Sequence, residues 1–91
     1  MTFLFKVEEA FEIPGRGCVI VPAIDDGADF KIRARDAIHL RTPGGHTLNT
    51  QISSVEFVKR AVGPCRMAIW LPTDVQKKDV SKGTDVFLIQ G

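Results

Sequence analysis

Basic side chains occupy alternate positions at Lys31, Arg33 and Arg35, and His39 and Arg41 continue the same phase if the chain stays extended past Asp36. On a β-strand that spacing sets all five on one face. There, cationic groups can follow a phosphate backbone, each contact adding salt-sensitive affinity. The plainer alternative is a solvated face. Phe30, Ile32 and Ala34 fall on the opposite phase, so no aromatic ring interleaves with these cations for base stacking.

A second stretch, "FEIPGRGCVIV" at 11–21, places Gly15-Arg16-Gly17 between two apolar runs. A phosphate-binding loop of the GxxxxGK[ST] type needs a helix after it, so that amides and the helix N-terminus converge on the anion. The apolar run after Gly17 reads instead as a strand, and the dinucleotide fingerprint also lacks its third glycine. The tripeptide is therefore read as a tight bend from which Arg16 projects.

Catalytic and metal chemistry find less support. His39 and His46 flank a turn with no Ser, Cys or carboxylate set beside them by any spacing rule, so a triad is not indicated. Cys18 and Cys65 have neither a CxxC spacing nor neighbouring ligands for zinc and read as buried free thiols, with a disulfide between them as the less supported alternative. No cofactor is expected. Trp70, the single tryptophan, beside Arg66 would make an interface anchor if it faces outward, because both residue types are enriched at binding hot spots.

The elements that must position these groups are strands. "FLFKV" at 3–7 alternates Phe3, Phe5 and Val7 against Leu4 and Lys6, and "CVIVPAI" at 18–24 is apolar on both phases. "FKIRARDAIHLR" at 30–41 gives the cleanest period of two, with a break marked by Asp36. A long strand is expected from about Thr47 to Arg60 and another over "RMAIWL" at 66–71. A short apolar strand follows the Lys82-Gly83 turn. "DDG" at 25–27, "TPGG" at 42–45 and "VGPC" at 62–65 supply further turns. Thr73, with Gln76 three residues on, suggests a capping box for one helical turn over 73–80. Six or seven strands in 91 residues predict an all-β chain forming a small closed antiparallel β-barrel, one domain spanning 1–91.

Composition agrees with a folded domain: 44% of residues are apolar and 25% charged, far from the make-up of disordered chains. The net charge of +1 supplies no general attraction to nucleic acid or anionic lipid, so such binding needs a local patch. Lys6 interrupts the opening apolar run before it reaches the length of a secretory core, and no stretch approaches a membrane span. A cytoplasmic location without membrane association is the default expectation.

The pieces "VEEAFEIPGRGCVIVPAIDDG", "SSVEFVKR" and "VGPCRMAIWLPTDVQKKDVSKGTDVFLIQG" resemble, in order and spacing, the second domain of elongation factor Tu and related translation GTPases. The family typically shows an acidic pair before a phenylalanine, a Gly-Arg-Gly hairpin, a valine-rich strand, a later V-E-x-F/M segment, where this chain has Val55-Glu56-Phe57-Val58, and a turn before the last strand. The likeness covers most of residues 7–91. It implies a β-barrel that in the intact factors lies beside a GTP-hydrolysing domain and helps hold the aminoacylated 3′ end of tRNA. By this resemblance Glu8, Glu9 and Phe11 match residues beside the terminal adenosine and amino acid. Glu56 matches the glutamate of the adenosine pocket, and Lys59 stands where the factor has an arginine. Val21 and Cys65 replace a threonine and an asparagine of the family, and Pro72 replaces a glycine.

The function expected on this basis is a non-enzymatic module that recognises tRNA, another RNA or a protein of the translation machinery through Glu8, Glu9, Phe11, Glu56 and Lys59. No nucleotide is expected to bind this chain alone. The rival expectation is a protein-interaction or structural module that turns Trp70, Arg66 and the basic strand with Lys31, Arg33 and Arg35 toward an unrelated protein.

Overall fold

The computed structural model describes residues 1–22, 32–58 and 66–89. Among these residues seven strands form one antiparallel sheet: β1 (Thr2–Ile13), β2 (Gly17–Pro22), β3 (Ala37–Arg41), β4 (Thr47–Gln51), β5 (Ser54–Val58), β6 (Arg66–Trp70) and β7 (Asp85–Leu88). Their order across the sheet is β4-β3-β7-β1-β2-β6-β5. The all-β class expected from the strand pattern is therefore what the chain forms. Phe30, Lys31, Lys59 and Cys65, the turns at 25–27 and 62–65, and the side chain of Arg66 lie outside the described residues.

No ladder joins β4 to β5, so in hydrogen-bond terms the sheet is open where a closed barrel was expected. The two edge strands are nonetheless consecutive in the chain. The expected strand from Thr47 to Arg60 breaks at Ile52 and Ser53 and changes partners there. Ile52 N–H donates to Asp36 O at 2.9 Å on the β3 side, whereas Ser53 N–H donates to Trp70 O at 2.8 Å on the β6 side. Ile52 itself is only 1% exposed. This covalent step brings together the ends of the two edge strands, and the sheet curls around the side chain buried at the corner.

β1 makes the other long bend. Its first half pairs with β7 (Phe3 opposite Phe87, Lys6 opposite Asp85) and its second half with β2 (Phe11 opposite Val19, Ile13 opposite Gly17). Register shifts lie between Phe3 and Phe5 and between Val7 and Glu9. An extra residue at a bulge flips the phase of all that follows. Leu4, Phe5 and Val7 are consequently buried while Phe3 is 53% exposed, which corrects the simple alternation of Phe3 with Phe5. The core fills the inside of the curl with Phe5, Ile20, Ile38, Leu40, Ile69, Leu71 and Val86 among its members.

The basic stretch is corrected as well. Residues 32–36 are not a strand. The Asp36 carboxylate accepts from Arg33 N–H at 2.8 Å, Asp36 N–H donates to Arg33 O at 3.2 Å, and Arg35 takes a left-handed φ of 77°. A short carboxylate offered to nearby backbone competes with strand pairing, so Arg33 and Arg35 stand on an exposed turn, apart from the face that carries His39 and Arg41. The helical turn also begins later than expected. Thr73 lies in a turn closed by Val75 N–H to Pro72 O at 3.0 Å. A single 3-10 turn at Lys77–Asp79 is capped by Asp79, whose carboxylate accepts from Gln76 N–H at 3.1 Å.

Cys18 is buried and free, its thiol donating to Val75 O at 3.3 Å. Burial pushes the thiol up from its ordinary value of 9.0; the Glu12 and Asp79 carboxylates push the same way and Lys77 opposes them. The folded state thus favours the neutral thiol. Its contribution is complete below a pH of about 9 and is lost as pH rises through the higher folded-state value. In urea unfolding, the stability advantage of the native chain over Cys18→Ala is expected to shrink as pH rises beyond about 9. An advantage that stays constant would refute the assignment.

Candidate functional site: a cleft beside the second half of β1

The site arises because β1 is longer than its partner on one side. Pairing with β7 stops at Lys6 and Asp85. Just beyond, Val7 is held by Gly83 and Thr84: Gly83 N–H donates to Val7 O and Val7 N–H to Thr84 O, both at 2.8 Å. Thr84 is fully buried, its hydroxyl donating to Ser81 O at 2.6 Å. Residues 77–82 therefore pass alongside β1 without joining the sheet.

Between them lies a cleft of about 540 Å³. Glu8, Glu9, Ala10 and Phe11 line its β1 side, and Lys77, Lys78, Ser81 and Lys82 line the other. The bulge at Glu8 and Glu9 places two carboxylates in succession at the cleft wall. Phe11 and Ile13 alternate along β1, a spacing that reads as core, but Phe11 is 47% exposed and Ile13 37%, so both stand outside it. Residues bearing an aromatic ring, two carboxylates, a hydroxyl and three ammonium groups thus line one opening. Such a set can stack on a planar group, accept hydrogen bonds from hydroxyls or amines, and neutralise an anion.

Three of the five residues expected at the binding face therefore share one site. Glu56 does not join them. It is exposed on β5 opposite Ala68, with β2 and β6 standing between β5 and β1. Lys59 lies outside the described residues. The pattern of "VQKKDVSK" conveys a helical turn and does not mark its lysines as cleft residues; the local concentration of lysine at 77, 78 and 82 is the one signal of them in the sequence.

The Gly-Arg-Gly bend is a turn between β1 and β2, as expected. Arg16 N–H donates to Ile13 O at 2.9 Å across Pro14 and Gly15, and Gly15 has a φ of 80°. Proline followed by a glycine at positive φ is the type II arrangement. The Arg16 guanidinium lies over the Trp70 ring at 4.4 Å from its centroid. Trp70 is half-buried, and its indole Nε1 is buried with no hydrogen-bond partner among the described residues. Among the described side chains, Arg16 is the cation over Trp70, supplied by the hairpin.

Among the described residues no group of three or more His, Cys, Asp or Glu side chains could hold a metal ion. No helix among the described residues is long and apolar enough to cross a membrane. Comparison of the chain with protein-family models, curated proteins and solved structures returns no match.

Proposed function

We propose that the chain is a non-enzymatic binding module that recognises the unpaired 3′ end of an RNA in the cleft beside β1. The observation that carries this reading is the convergence of Phe11, Glu8 and Glu9 with Lys77, Lys78 and Lys82 around one opening. Each group has a counterpart in a nucleotide. The ring offers a stacking surface for a base, the ammonium groups suit phosphate, and the carboxylates accept from ribose hydroxyls or an exocyclic amine. Contact with the 2′-hydroxyl is what separates RNA from DNA.

The sequence resemblance to domain 2 of elongation factor Tu supports the same ligand class, because Glu8, Glu9 and Phe11 are the matched residues lining the cleft. It further suggests an aminoacylated tRNA end and a role beside the translation machinery. Ser81 has no imidazole or thiol among the other cleft residues, so binding without turnover is the reading adopted.

The test is titration of an RNA hairpin carrying a short unpaired 3′ tail, followed by fluorescence anisotropy. Three lysine contacts to a single strand give an expected slope of about −2 in log affinity against log salt. Replacing Lys77, Lys78 and Lys82 by glutamine should flatten that slope and weaken binding on the order of 100-fold at low salt. Failure of the native chain to bind the tailed hairpin, or equal binding of a blunt one, would refute this reading and favour the protein-docking alternative around Trp70.

A further inference from the structure

The opposite half of the sheet carries a feature that the cleft does not use. Across β1, β7, β3 and β4, register aligns Phe3, Phe87, His39 and Asn49 in one row. Residues directly opposite one another in an antiparallel ladder share a face. The neighbouring positions Val86, Ile38 and Leu40 are buried in the core, so this row faces outward. Phe3 and Phe87 meet edge to face with centroids 5.6 Å apart, and His39 stands 5.9 Å from Phe87 on the other side. His39 Nδ1 is hydrogen-bonded to Asn49 Oδ1 at 2.5 Å, which fixes the imidazole at the end of the row.

The adjacent outward row holds the charges. Lys6, Asp85 and Arg41 are aligned there, with Lys6 paired to Asp85 at 2.8 Å. Arg41 extends over the Phe87 ring at 5.0 Å from its centroid. The surface is thus an aromatic row bordered by a guanidinium that already stacks on it.

We propose that this face is a second binding surface, a stacking platform for the unpaired bases of a single-stranded nucleic acid. Aromatic side chains on a sheet face with cations at their border are the elements by which single strands are held without regard to sequence. Phe3 and Phe87 take bases, Arg41 meets phosphate, and His39 with Asn49 offers polar atoms to a base edge. Asp85 is the one acid in these two rows and is neutralised by Lys6, so the face favours a polyanion. No cleft residue belongs to this surface, so the proposal stands apart from 3′-end recognition.

The probe is a fluorescent 12-nucleotide oligothymidylate with a blocked 3′ end, which lacks both the 2′-hydroxyl and the free end that the cleft would require. The native chain should bind it, and bind the matching duplex far more weakly. Phe3→Leu with Phe87→Leu keeps the apolar bulk and removes the rings; binding should fall about tenfold or more. Phe87→Trp should preserve it, and the glutamine triple variant at Lys77, Lys78 and Lys82 should leave it unchanged. Should the double variant fail to fold, Phe3→Leu alone, at the more exposed ring, carries the same prediction at smaller size. No binding by the native chain, equal binding of duplex, full binding by the leucine variants, or a self-association in sedimentation that the leucine changes abolish would each overturn the proposal.

Discussion

Replacing Phe5 by alanine is expected to lower the unfolding free energy by about 3–5 kcal/mol, the range for deleting a buried phenylalanine ring. Phe5 has no exposed surface and is among the largest fully buried side chains of the domain. It faces Val86 in the β1–β7 ladder, immediately after the register shift that turns Phe3 outward. A domain of this length is stabilised by only about 5–14 kcal/mol in all, so the loss is a large share of the total. Collapse around the void is limited because β1 is fixed on both flanks, by β7 before Val7 and by β2 after it. Phe5→Leu, which keeps most of the volume, should cost considerably less. Phe3→Ala, at a half-exposed site on the same strand, should cost less still. Urea denaturation of the three variants checks the order. A Phe5→Ala loss below about 1.5 kcal/mol would mean that the core does not close around this ring.

The contrast between Phe3 and Phe5 also shows what local pattern conveys. Both residues fall on one phase of the alternation, and the pattern is sufficient to place a strand there. Their opposite fates depend on one extra residue in β1 relative to β7, a partner more than eighty positions away in the chain. The aromatic row made by Phe3, Phe87 and His39 was hidden for the same reason, since its three members come from distant segments. Where a strand pairs with a near neighbour, as at the Gly-Arg-Gly hairpin, turn chemistry and apolar runs convey both elements and their connection. Where polar groups compete for backbone, period alone misleads. Arg33 and Arg35 alternate as a strand would, yet the Asp36 carboxylate captures the Arg33 amide and makes a turn of the segment. At the cleft, the acidic pair and Phe11 were visible through a resemblance. The lysines that face them were not, because their approach depends on the buried Thr84 and the two bonds that tie Val7 to Gly83 and Thr84.

Gly17→Ala is expected to be the most damaging single change in the hairpin, and the comparison with Gly15 shows why. Gly15 has a φ of 80° and nothing within 4 Å of an added Cβ, so alanine there incurs the left-handed penalty of about 1–2 kcal/mol and little else. Gly17 has a φ of 110°, and its added Cβ would lie 2.7 Å from the Leu71 carbonyl oxygen and 3.4 Å from that of Pro72. Those are backbone atoms. Leu71 cannot retreat easily, because its N–H donates to Cys18 O at 2.9 Å and its side chain is 1% exposed in the core. Strained backbone at such a φ costs of order 1–3 kcal/mol by itself, and displacing Leu71 adds core disruption, so the total should reach about 3 kcal/mol or more. The consequence extends to the surface. Arg16 is seated over Trp70 by the same bend, so tryptophan fluorescence in the folded fraction should shift for Gly17→Ala and stay close to native for Gly15→Ala. Equal stability losses at the two glycines would show that the close approach to Leu71 does not constrain the turn, and that only the sign of φ does.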